Sequence, residues 1–129
     1  MPRALLDESD IHPAIRGFVA GSQQAIVAEV QAAVAKYPVV VVGMGLNPMP
    51  KKARKALDEA GVTHHDLDYG SYISEWRKRN ALKMWTGWPT FPMIFVDGVL
   101  IGGYQDLARL IESGELARTL GKPPAAAEL

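Results

Sequence analysis

The chain of 129 residues contains no cysteine. That absence removes disulfides, thiolate metal sites, thiol nucleophiles and dithiol redox chemistry together. An excess of either charge is also missing: Lys and Arg total 14, and Asp and Glu total 14. No global field therefore draws the protein to nucleic acid or to an anionic membrane. The apolar stretches fall far short of the roughly 20 residues that a membrane span needs. The start, MPRALLDESD, lacks the apolar core of a signal peptide. These absences predict a cytoplasmic protein with no nucleic acid and no membrane as partner. The length suits one compact core without covalent staples.

Residues 1–20 mix Pro, Gly and charge, which predicts an irregular extension with one short helical turn around Ile11–Val19. Ser22 is a good N-cap for a helix running to Lys36, in which Ile26, Val30, Ala33 and Val34 recur at helical spacing. The run Pro38–Val42, PVVVV, is short, β-branched and bounded by Pro and Gly, as a strand buried on both faces should be. A helix from about Pro48 to Ala60 follows, with Gly61 as its stop. VTHHDLDY alternates as a second strand, and a basic helix is expected from about Ser71 to Trp85. The two strands and the helix between them imply a parallel βαβ unit. In PMIFVDGVLIGG two apolar runs flank Asp97-Gly98, the strongest two-residue hairpin signal. A last helix or pair of helices and a mobile GKPPAAAEL tail complete the chain. The expected division is an extension over 1–21, one domain over 22–120 and a tail over 121–129.

From about Glu29 to Leu120 this sequence resembles a glutaredoxin, a family with the thioredoxin-like fold. The most specific stretch is WTGWPTFPMIFVDGVLIGGYQDL, which resembles the monothiol glutaredoxin pattern of Trp-Pro-Thr-x-Pro, strand, turn, strand and Gly-Gly. EVQAAVAKYPVVVVGMG resembles that subfamily's opening helix and strand. The resemblance implies an α/β fold with a four-stranded mixed sheet flanked by helices, to which this chain adds its N-terminal helical segment.

Aligned on that pattern, Asn47 stands where the family keeps its nucleophilic cysteine, and Pro50 where it has a second cysteine or serine. A carboxamide is a poor nucleophile and a poor iron ligand, so thiol–disulfide exchange and an iron–sulfur cluster are not expected. Asn followed by Pro is, however, among the best starts a helix can have. A family lysine is missing near Gly43 and Met44, and the active-site loop is about five residues shorter than in monothiol members. By the same resemblance Arg79 would pair with the glycine carboxylate of glutathione. Phe91, before a cis Pro92, would present its backbone to the cysteinyl part of a peptide. Gly102 and Gly103 would let the backbone approach the γ-glutamyl group, whose carboxylate the Tyr104 and Gln105 amides would bind. Gln105 replaces the usual aspartate there, with Asp106 next to it.

Plainer readings stand beside these. Arg77, Lys78 and Arg79 suit a solvated helix face, and Trp85 and Trp88 suit core packing. His64-His65 lacks a third metal ligand, although Asp66 and Asp68 share the face of His64. The resemblance implies a cysteine-free, redox-inactive glutaredoxin-like protein that holds glutathione or a peptide-like ligand in the inherited groove. Two alternatives remain open: a protein-interaction module using Trp85 and Trp88, as a homodimer or with another partner, and a glutathione-dependent transferase.

Overall fold

The computed structural model describes residues 3–21, 24–70 and 75–121. After a 3-10 turn at Glu8–Asp10 come α1 (Pro13–Gly21), α2 (Gln24–Lys36), β1 (Val39–Gly43), α3 (Pro48–Glu59) and β2 (His65–Asp68). The chain continues through α4 (Trp76–Thr86), β3 (Met93–Val96), β4 (Val99–Gly102), α5 (Tyr104–Glu112) and α6 (Glu115–Thr119). The four strands form one mixed sheet in the order β2-β1-β3-β4.

β1 is central, and all five of its residues are buried. It runs parallel to β2, with Val42 opposite Leu67, and antiparallel to β3, with Val42 opposite Met93. Alternate side chains serve opposite faces. Val40, Val42, Met93 and Phe95 join Ile26 and Val30 of α2 and Leu82 of α4 in one core layer. Val39, Val41, Ile94 and Val96 join Leu57 of α3, Leu107 of α5 and Leu116 of α6 in the other. The β3–β4 turn takes positive φ at Asp97 (48°) and Gly98 (82°), the conformation that matches the twist of a two-residue hairpin. β4 carries an irregularity that leaves Ile94 opposite Gly102 and Phe95 opposite Leu100.

Several boundaries differ from the sequence expectation. The second strand shrinks to His65–Asp68 because Val62 ends α3: its amide donates to the Leu57 carbonyl (2.9 Å) and the Gly61 amide to Asp58 (3.1 Å). This is a Schellman closure with Gly61 at φ 73°. α4 runs from Trp76 to Thr86; the expected start at Ser71, the Ser22 cap and the tail after Gly121 lie outside the described residues. The turn expected near Ile11–Val19 is α1, none of whose residues is buried. Ahead of it, Arg3 donates from Nη2 to the carbonyl of Trp85 (3.0 Å) and to that of Met84 (3.4 Å) at the end of α4.

Leu57 is fully buried between α3 and the sheet. Leu57→Ala should lower unfolding stability in urea by about 2–5 kcal/mol. Met84→Ala, at a position 72% exposed, should change it by no more than about 0.5 kcal/mol.

Candidate functional site

β1, β2 and β4 all end at the end of the sheet where β3 begins, so the loops there converge. α3 starts after β1, and α5 starts after β4. Open α/β sheets place ligand sites in such a crevice. Asn47, extended at φ −108°, is the N-cap of α3: its Oδ1 accepts from the Met49 amide (2.9 Å), and Pro48 occupies the first turn. The same side chain donates from Nδ2 to the Phe91 carbonyl (3.3 Å), a bond that sequence reasoning did not foresee. Phe91 is buried, and the Phe91–Pro92 peptide is cis, as expected. Pro92 in turn lies against Gly103, where a Cβ would stand 3.6 Å from the Pro92 carbonyl oxygen and 3.7 Å from Trp88 Nε1. Asn47, Phe91, Pro92, Gly103 and Trp88 therefore form one contiguous wall.

The two glycines have different reasons. Gly102 has φ 113°, and a Cβ there would sit 2.4 Å from the Asp106 carboxylate, so both backbone and space demand glycine. Gly103 has neither restriction. Asp106 accepts from the Gly103 amide (3.0 Å), which makes its carboxylate an internal cap for α5. The first-turn amides of Tyr104 and Gln105 find no acceptor among the described residues, and helix-terminal amides of this kind suit an anion.

Arg79 belongs to no solvated face. It is buried, at 6% exposure, and Nη1 donates to the Tyr69 carbonyl (2.9 Å) at the end of β2. Tyr69 itself donates through its phenol to Glu29 of α2 (2.6 Å). Burial and that carboxylate push the phenol pKa up, far from the neutral range. One helical turn beyond Arg79, Lys83 places Nζ 5.8 Å from the centre of the Phe91 ring. The sequence reading missed this cation; its i, i+4 spacing from Arg79 was the available signal. Trp85 and Trp88 are partly buried against the core, as their position near a helix end suggested. The Trp88 indole N–H is buried without an acceptor among the described residues.

A mixed sheet in this order, with a helix N-terminus facing a cis-proline turn, defines the thioredoxin-like class. Solved structures agree: wheat glutaredoxin matches with a TM-score of 0.68 at 28% identity, over 81% of this chain and 98% of that one. A buckwheat glutaredoxin–glutathione complex has the same TM-score at 23% identity, over 77% and 90% of the two chains, and supports the fold alone. The family model for glutaredoxin matches residues 48–101. A glutaredoxin-like protein of Dictyostelium discoideum is 43% identical over 108 residues, 84% of this chain and 88% of that protein. A probable monothiol glutaredoxin 2 of Rickettsia prowazekii is 31% identical over 70% of this chain and 87% of its own length. The chain belongs to the glutaredoxin family.

An iron–sulfur cluster does not fit the residues here. The chain offers no sulfur except thioethers, and the side chain at the start of α3, Asn47, is an amide with both ends engaged by backbone. His64 is likewise no gathering point for a metal. Its Nε2 meets Asp58 of α3 (2.8 Å) and its Nδ1 meets Asp66 of β2 (2.6 Å). The two carboxylates thus lie on opposite sides of the ring. Among the described residues no group of three His, Cys, Asp or Glu side chains is arranged to hold an ion. A shallow depression of about 460 Å³, lined by Asp58, Gly61, Val62, Thr63 and His64, marks this far end of α3, away from Asn47 and Phe91.

Burial of His64 opposes its charge, but hydrogen bonds to Asp58 and Asp66 outweigh that cost and raise its pKa above the ordinary 6.5. A pKa raised by folding stabilises the native state fully below the unfolded value, and the contribution is lost as pH climbs through the native value. The melting temperature of the wild type should therefore fall from about pH 6.5 upward more steeply than that of His64→Gln. Parallel slopes in thermal melts of the two proteins would contradict the bridge.

Proposed function

We propose that this protein holds glutathione, or a peptide of similar size and charge, in the groove between the α3 N-terminus, the Phe91-Pro92 turn and the α5 N-terminus, without thiol–disulfide chemistry. The observation that carries the reading is the Asn47–Phe91 contact, because it brings the helix start and the turn before β3 together. The groups along that wall favour an anionic, extended ligand. Tyr104 and Gln105 amides suit one carboxylate, Lys83 with buried Arg79 behind it suits a second, and the Phe91 backbone suits the peptide between them. Asp106, already turned onto Gly103, helps to order the α5 amides. With Asn47 in place of a thiol, the ligand is held and not covalently attacked. A second reading, an interaction with a protein partner, draws on Leu46. This residue, just before Asn47, has φ 62° and is 77% exposed, and a strained, exposed apolar side chain is a mark of a contact surface.

Calorimetry with reduced glutathione decides the first reading. Binding is expected at millimolar ligand, and Lys83→Ala should weaken it up to about five-fold, the worth of one solvent-screened charge contact. No heat at millimolar ligand would sink the proposal.

Asn47→Cys offers a gain-of-function test. A thiol at the start of α3 is activated by the helix terminus. In a groove that holds glutathione it should exchange with glutathione disulfide faster than the same variant unfolded in urea, whereas equal rates would count against the groove.

A further inference from the structure

We infer that Asn47 is a selectivity residue of this groove: its side-chain amide occupies the backbone acceptor that an extended ligand would otherwise use, and so disfavours ligands bringing an N–H to that point. The inference rests on the reading of the groove as a peptide site. The orientation of the amide follows from two contacts that agree. Oδ1 is taken by the Met49 amide at 2.9 Å, which leaves Nδ2 pointing away from the helix and onto the Phe91 carbonyl at 3.3 Å. Exchanging the two atoms would set donor against donor at Met49 and acceptor against acceptor at Phe91.

The Phe91 carbonyl lies just outside the sheet. β3 begins at Met93, and Pro92 between them has no amide hydrogen. The pairing of β1 with β3 ends at Val42 and Met93, so beyond Met93 β1 no longer pairs with this chain segment. An added strand would pair there through the backbone of Phe91, donating an N–H to its carbonyl. Asn47 supplies that N–H from within the protein. At 3.3 Å its bond is at the long, weak end of the range, so a ligand can displace it at a cost, and a ligand without a donor at that point has nothing to displace. The groove therefore discriminates by hydrogen-bond polarity: a secondary amide is penalised relative to an N-alkylated or prolyl residue in the same place.

The test compares wild type with Asn47→Ser, whose hydroxyl still caps α3 but is too short to reach Phe91. Asn47→Thr serves as a second capping variant, and thermal melts show that both are folded. Two probes are used, reduced glutathione and its analogue methylated on the cysteinyl nitrogen. Asn47→Ser should bind glutathione about five-fold more tightly, the worth of one net hydrogen bond, while the methylated analogue binds wild type and variant alike. Equal or weaker glutathione binding by both variants overturns the inference and leaves the glutathione groove standing. Absence of binding to wild type and variants alike overturns the groove, and the inference with it.

Discussion

The antiparallel register that sets Val42 against Met93 decides everything at the groove. Five residues beyond Val42 the chain reaches Asn47, and two residues before Met93 it reaches Phe91, so this pairing brings a helix cap and a backbone carbonyl within hydrogen-bond distance. A slip of one residue would send Val40 and Val42 to the wrong face. It would also break two core layers that hold Leu82 on one side and Leu57 and Leu107 on the other. Burial of the valines is thus what positions the polar site, although none of them belongs to it.

Given that register, the start of α3 is held by two bonds of one side chain. A cysteine at position 47 could supply a thiolate; the asparagine supplies a cap to Met49 and a bridge to Phe91. The two roles draw on the same feature, the unpaired amides of a first helical turn, which stabilise either a side-chain oxygen or an anion. At α5 the same competition is only half resolved. Asp106 satisfies Gly103, and the amides of Tyr104 and Gln105 have no acceptor among the described residues. Charge between α3 and β2 is engaged internally in the same manner: His64 joins Asp58 to Asp66, and Arg54 joins Asp66 to Asp68.

Much of the architecture was legible before any coordinate. The four-valine run, the Asp97-Gly98 turn and the Asn47-Pro48 helix start are local signals whose physics acts within a few residues, and the structure reproduces each. The strand at VTHHDLDY was overdrawn because the Schellman closure at Gly61-Val62 captures residues that alternation alone assigns to the strand. Arg79 defeated local reasoning outright. Beside Arg77 and Lys78 it looks like one of three solvated cations, yet α4 turns it inward to the Tyr69 carbonyl.

By itself the sequence determined the elements, the absence of a thiol and the capped start of α3, because propensity, capping and the absence of cysteine can be read from the chain without its long-range contacts. Only the tertiary structure decided that Asn47 reaches Phe91 across 44 positions, that Lys83 sits over the Phe91 ring, and that Gly102, not Gly103, is the position that must be glycine. These depend on which strand lies beside which and in what register, and that is settled by the fit of side chains distant along the chain.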